Sequence, residues 1–118
     1  MTTQEVANRF HELAQTGQWE AIQDELYAEN CVSIEPGNQP GMHSAEGIAA
    51  IKAKGVEMNE SVETMHGGFS NPPIVSGNHF AVVMGMDVTF KGAPRMQMDE
   101  IAVYHVADGK IVKEQFFY

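Results

Sequence analysis

Residues 79–90, HFAVVMGMDVTF, place a large apolar side chain at every second position. This two-residue period is typical of a β-strand that turns one face to a core. Further strands are predicted over Met96 to Val106 and Lys110 to Tyr118, with Asp108-Gly109 as the tight turn between them. Because strands joined by short turns run antiparallel, this half of the chain predicts an antiparallel meander.

The half of the chain before this meander is predicted to be mainly helical. Thr2 and Glu5 fit a capping box at the start of a first helix, and Gly17 suits a left-handed residue after its end. The other expected elements are a helix at about 18–27, a strand at 31–35, a third helix capped by Ser44 and a strand at 61–69. Helices followed by a meander indicate an α+β fold with the helices on one face of a curved, mainly antiparallel sheet, in one domain over residues 1–118.

Charge and composition exclude several classes of function. Seven basic residues against 16 acidic ones give a net charge of −9, which argues against nucleic acid and anionic membranes as partners. No apolar run approaches the roughly 20 residues of a membrane span, and the first residues do not form a signal peptide. The single cysteine, Cys31, cannot form an intramolecular disulfide, so a cytoplasmic location is expected.

Motifs for cofactor and metal binding are missing from the sequence. It has no glycine-rich phosphate loop, no nucleophile elbow and no Cys-x-x-Cys pair. No two of its five histidines have the helical or strand spacing that would direct both at one ion. We therefore expect neither a cofactor nor a metal.

One acidic residue interrupts an apolar strand face. Glu100 shares its side of the strand from Met96 with Met98, Ala102 and Tyr104. Burial there would favour the protonated carboxyl and raise its pKa, which suits a catalytic acid. In the alternative, Glu100 pairs with a basic group or a loop amide and has only a structural role.

Two further carboxylates are candidates for chemistry. Glu35 ends the strand at 31–35, at the rim of the sheet where catalytic groups are often found, although a solvated strand end is the plainer interpretation. Asp99 remains an alternative to Glu100, because one β-bulge would exchange the faces of these neighbours.

The apolar side chains predict both a pocket and an interface. The residues expected to bind an apolar small molecule are Phe10, Trp19, His66, Met84, Met86, Met98 and Tyr104. Small and apolar side chains on the other face of the sheet predict a homodimer, and they are Ala81, Val83, Gly85, Ile101 and Val103.

Four segments carry a resemblance to a known family. They are residues 17–22 (GQWEAI), 26–36 (LYAENCVSIEP), 46–51 (EGIAAI) and 106–112 (VADGKIV). Their order resembles the nuclear transport factor 2-like superfamily, in its SnoaL-like and ketosteroid-isomerase-like branch. The resemblance implies a cone-like α+β barrel, a cavity between sheet and helices, and a dimer through the sheet.

The resemblance also implies roles for single residues. Glu35 falls near the general-base aspartate of the isomerases, and Asp99 or Glu100 falls at their protonated oxyanion-hole acid. Phe10 falls at the position of their phenol, and a phenyl ring donates no hydrogen bond. The last-strand acid of the SnoaL-like branch falls near residues 115–116, where the sequence has no carboxylate.

Two hypotheses of function remain open at this point. In the first, the protein is a cofactor-free isomerase, hydratase or hydrolase acting on an apolar carbonyl compound, with Glu35 as base and Glu100 or Asp99 as acid. In the second, it is a non-catalytic module of the same fold that binds a ligand or dimerises.

Overall fold

The computed structural model describes residues 1–118 and has three helices packed on one curved sheet. The elements are α1 (Thr3–Ala14), α2 (Trp19–Leu26), β1 (Tyr27–Ile34), β2 (Ala45–Glu46), α3 (Ile48–Ser61), β3 (Val62–Ser70), β4 (Ile74–Ser76), β5 (His79–Phe90), β6 (Met96–Ala107) and β7 (Lys110–Phe117). This α+β architecture confirms the predicted fold class. No helix has both the length and the apolar character needed to cross a membrane.

The sheet has the strand order β2-β1-β7-β6-β5-β3, with β4 also paired to β5. The predicted antiparallel meander is present, because β5 pairs with β6 and β6 with β7 in antiparallel fashion. The strands β1 and β7 pair in parallel, which no short turn could produce. This long-range pairing sets Ser33 opposite Glu114, and Glu114 lies opposite Tyr104 on β6. The sheet stays open between β2 and β3, so the cone is not a closed barrel.

The first helix forms as its sequence predicts. Thr2 accepts a hydrogen bond from the backbone of Glu5, and the Glu5 carboxylate accepts one from the backbone of Thr2. The apolar stripe of α1, including Val6 and Phe10, is buried against the sheet. Burial of this stripe fixes α1 over β5 and β6, where the phenyl ring of Phe10 contacts Phe80.

Two local predictions differ from the structure because strand pairing prevails over local signals, and one short strand was not predicted. The strand predicted at 31–35 already begins at Tyr27, directly after α2. Ser44 does not cap α3, because Ala45 and Glu46 pair with β1 and the helix begins after Gly47. The three-residue strand β4 was not predicted, since three residues are too few to establish a period.

Candidate functional site

A cavity of about 540 Å³ lies between the helices and the concave face of the sheet. Half of the residues that line it are hydrophobic, and six of the eight methionines are among them. A cavity of this volume matches the size of small-molecule sites in proteins. Its polar lining is concentrated around one buried lysine and three glutamates, Lys54, Glu35, Glu100 and Glu114, which we call the lysine–carboxylate cluster.

The lysine of this cluster comes from the buried side of α3. Lys54 follows Ile51 by three residues, so both side chains lie on the helix face that packs on the sheet. Its side chain is only 8% exposed. The Nζ atom donates a hydrogen bond to Ser33 Oγ at 2.6 Å and lies 3.8 Å from Glu35 Oε2. It also lies 5.3 Å from the centre of the Phe116 ring, a cation–π distance.

Glu114 is the most deeply buried carboxylate of the cluster, at 4% exposure. Its Oε2 accepts a hydrogen bond from Ser33 Oγ at 2.9 Å, and its Oε1 accepts one from the Tyr27 hydroxyl. Burial raises the pKa of Glu114, while the Tyr27 hydroxyl, Lys54 and Ser33 act in the opposite direction. Both oxygens are therefore satisfied, and Lys54, Ser33 and Glu114 form one continuous hydrogen-bonded chain.

Glu35 lies just beyond the end of β1, and its side chain is 5% exposed. Its backbone N–H donates to Ser44 Oγ at 3.0 Å, which fixes the chain where it leaves the sheet. Burial raises the pKa of Glu35, and the nearby Lys54 ammonium opposes this increase. The Tyr118 hydroxyl also interacts with this carboxylate.

Glu100 lies in the wall of the same cavity, opposite Met84 on β5. Burial is the main cause that raises its pKa from an ordinary value of 4.5 to about 7, and the negative charges of Glu35 and Glu114 contribute to this increase. Its neighbour Asp99 is exposed at the cavity margin and accepts a hydrogen bond from the Gln97 amide. Of the two neighbouring acids, Glu100 is the one in a desolvated setting.

The structure brings most of the predicted ligand-binding side chains into the cavity wall, namely Trp19, Met84, Met86, Met98 and Tyr104. Phe10 is not in the wall, because it is 1% exposed and packs behind Tyr104, with ring centres 4.8 Å apart. His66 is also outside the wall, since it is exposed and bonds to Thr89 Oγ1. No group of three or more His, Cys, Asp or Glu side chains is arranged to hold a metal ion.

Sequence reasoning missed three polar residues of the site. Tyr27 falls at the end of the helix predicted at about 18–27, but it begins β1 and its hydroxyl donates a hydrogen bond to Glu114. Lys54 could have been found as a charged residue at helical spacing from Ile51. Glu114 could have been found as a charged residue between Val112 and Phe116, because these three residues occupy every second position of β7.

One position taken from the family resemblance has a buried carboxylate beside it in the structure. The last-strand acid was placed near residues 115–116, where the sequence has no carboxylate. The structure puts a buried carboxylate one position earlier, at Glu114.

Comparison with known proteins identifies the family and the fold of the chain. The sequence matches the SnoaL-like domain family over residues 1–118. A protein from Mesorhizobium loti, provisionally described as a SnoaL-like polyketide cyclase, is 35% identical, with all of both chains covered and a TM-score of 0.93. Its description also carries the name carbohydrate phosphatase, so this similarity does not fix a reaction. None of the curated proteins matches the chain significantly.

More distant structures share the fold alone. TerC, co-crystallised with polyporic acid, is 16% identical, with 98% of this chain and 90% of that chain covered and a TM-score of 0.76. A hypothetical protein with a ketosteroid isomerase-like fold from Catenulispora acidiphila, in complex with trimethylamine, is also 16% identical. The coverage is 99% of this chain and 87% of that chain, with a TM-score of 0.74.

The raised pKa of Glu100 predicts a pH-dependent loss of stability in the wild type. A native pKa of about 7 against an ordinary 4.5 means that the folded state holds the proton more tightly. This contribution is fully present below about pH 4.5 and is lost as the pH rises through about 7. Glu100→Gln has no such proton, so the wild type should lose at most about 3 kcal/mol relative to this variant across that range.

Urea unfolding of both proteins between about pH 4 and pH 8 measures this difference. Asp99→Asn is the matched control, because it removes an exposed carboxylate from the adjacent position, and the loss of stability assigned to Glu100 should persist in this variant. A parallel curve for Glu100→Gln would show that Glu100 is solvated.

Proposed function

This chain belongs to the SnoaL-like domain family, and we propose that it is an enzyme that moves a proton next to the carbonyl group of an apolar small molecule, without a cofactor. One observation carries the proposal: Glu35 and Glu100 line the same apolar cavity and have different environments. They are close enough for the charge of Glu35 to raise the pKa of Glu100. A pair of carboxyl groups with separated pKa values can serve as base and acid in one reaction.

Glu35 is the base in this proposal. The Lys54 ammonium at 3.8 Å favours the ionised form of its carboxylate, so Glu35 can accept a proton near neutral pH. Glu100 is the acid, because a pKa of about 7 lets it keep a proton that it can donate to the carbonyl oxygen. Asp99 has neither the burial nor the charged neighbours for this role.

The substrate class follows from the remainder of the wall. Thioether and aromatic side chains, including Met84, Met98 and Trp19, offer an adaptable apolar surface. The single basic side chain in the wall, Lys54, is already engaged by Ser33 and Glu35, so the cavity has no clamp for a phosphate group. The complex of TerC with polyporic acid supports a small organic molecule as the ligand of this fold.

The alternative is a non-catalytic module that binds an apolar ligand. Phe10 favours this alternative, because the first helix supplies a phenyl ring where the isomerases of the superfamily have a phenol. Tyr27 and Tyr104 line the same cavity, but the Tyr27 hydroxyl already donates a hydrogen bond to Glu114. The two functions differ in one observable: only the enzyme would exchange the protons next to the carbonyl group of a bound ketone with solvent.

Proton exchange therefore tests the enzyme proposal. Wild-type protein in D₂O should catalyse deuteration of 2-decalone at the carbons next to its carbonyl, measured by NMR. Glu35→Gln should reduce the catalysed rate by roughly 100-fold or more, because general-base catalysis typically contributes this much. Asp99→Asn is the matched control and should retain the wild-type rate.

Binding of 2-decalone, measured in parallel by displacement of an apolar dye, separates the two functions. A wild-type protein that binds the ketone and leaves its protons unexchanged would be the non-catalytic module. A protein that does neither would contradict both proposals.

We also propose that the protein is a homodimer through the outer face of its sheet. Val83, Ile101 and Phe117 lie directly opposite one another across β5, β6 and β7, and each is at least 40% exposed. Ala81 and Val103 form the next paired row. Two copies related by a two-fold axis would bury these rows against each other.

Ile101→Glu should dissociate this dimer, because it places two like charges at the centre of the apolar face. Sedimentation at tens of micromolar, a concentration at which a pair of moderate affinity is associated, should show a dimer for the wild type and a monomer for the variant. Val56→Glu is the matched control, since Val56 is an equally exposed apolar residue on α3. A monomeric wild type would contradict the interface.

We place the protein in the cytoplasm. Its one cysteine, Cys31, is a buried free thiol, and this is the form that a reducing compartment maintains.

A further inference from the structure

The nitrogen of Lys54 has no reacting role in the proposed function, yet it lies in the wall of the substrate cavity. It is the one buried lysine of the chain. Lys52, two residues away on α3, is 40% exposed and paired with Asp24. An amine that faces an apolar cavity beside carboxyl groups has the setting in which lysines attack carbonyl carbons.

A lysine attacks only as the neutral amine, so its proton needs an acceptor. Lys54 Nζ donates to Ser33 Oγ at 2.6 Å, and Ser33 Oγ donates to Glu114 Oε2 at 2.9 Å. If Ser33 passes its own proton to Glu114 while it receives one from Lys54, the result is a neutral amine and a neutral carboxyl. This transfer leaves the net charge of the buried cluster unchanged, and burial, which raises the pKa of Glu114, favours the protonated carboxyl.

We propose that Lys54 forms a Schiff base with an apolar aldehyde or ketone in this cavity. The inference rests on the proposed function for its substrate class. The Nζ lone pair forms a bond to the carbonyl carbon, and the carbonyl π electrons move to the oxygen, which takes a proton from Glu100. Glu35 then removes a proton from the nitrogen, which gives a neutral carbinolamine.

The carbinolamine then loses water. Glu35 returns its proton to the hydroxyl group, the C–O bond breaks, and the nitrogen lone pair forms the C=N bond of the iminium ion. The balance is one amine, one carbonyl compound and one proton from Glu100 converted to one iminium ion and one water. The positive iminium nitrogen acidifies the neighbouring C–H, so the proton transfer proposed above would proceed through an enamine bonded to Lys54.

Reductive trapping tests this bond directly. Wild-type protein is incubated with cyclohexanecarbaldehyde and sodium cyanoborohydride near pH 8, and the product is analysed by intact mass and peptide mapping. The expected product is one adduct at Lys54, with a mass gain equal to that of the aldehyde less one oxygen atom, formed at least tenfold faster than at any other lysine. Adducts spread over the exposed lysines at similar rates would overturn the proposal.

Two matched variants assign the adduct. Lys54→Arg keeps the positive charge of the buried cluster and has no nucleophilic amine, so fast labelling should disappear. Lys52→Arg makes the same change at the exposed neighbour and should label as fast as the wild type. Fast labelling that persists in Lys54→Arg would overturn the assignment.

A second measurement needs no variant and separates this inference from the proposed function. Proton transfer through a Schiff base exchanges the carbonyl oxygen with water, whereas transfer through an enolate retains it. Wild-type protein with 2-decalone in ¹⁸O-labelled D₂O should therefore incorporate deuterium and ¹⁸O together. Deuterium incorporation without ¹⁸O would support the proposed function and overturn the Schiff base, and incorporation of neither would overturn both.

Discussion

The burial of one ammonium group among three carboxyl groups is the constraint on which this structure depends. Removing a charged group from water is costly unless a partner of opposite charge or a hydrogen bond compensates for it. Lys54 supplies that compensation through Ser33 to Glu114 and directly to Glu35. Glu100 has no hydrogen-bond partner of this kind, and burial raises its pKa to about 7. The single cation therefore stabilises negative charge at Glu35 and Glu114, to which it is linked, while Glu100 lies outside this network.

The arrangement of β1, β7 and α3 brings these groups together. The parallel pairing of β1 with β7 sets Ser33 against Glu114, and α3 lies across this pair with Lys54 directed at Ser33. Half of the residues around the cavity are hydrophobic, so thioether and aromatic groups form much of the surroundings of these carboxyl groups. A carboxyl group in such surroundings can give or take a proton near neutral pH, which is the chemical basis of the proposed function.

Part of this arrangement is visible in the sequence. The strand at residues 79–90 and the capping box at Thr2 depend on neighbours within a few positions, and both were predicted correctly. The phase of the strand from Met96 also placed Glu100 on the apolar face. Lys54 and Glu114 were missed because each owes its role to partners that are distant in the sequence, such as Ser33, which is 21 positions from Lys54 and 81 from Glu114. The β1–β7 pairing was missed for the same reason, because these strands are far apart in the sequence and no turn motif joins them.

The stability of Lys54→Met, measured by urea unfolding at pH 8, tests the central claim most directly. Methionine keeps the length and apolar stem of lysine and removes the charge, which leaves Glu35 and Glu114 without their cation. The account predicts a loss of roughly 3 kcal/mol or more in the free energy of unfolding, while Lys52→Met loses at most about 1 kcal/mol. Equal effects of the two substitutions would show that Lys54 does not hold the carboxylates in place, and the account of the site would be wrong.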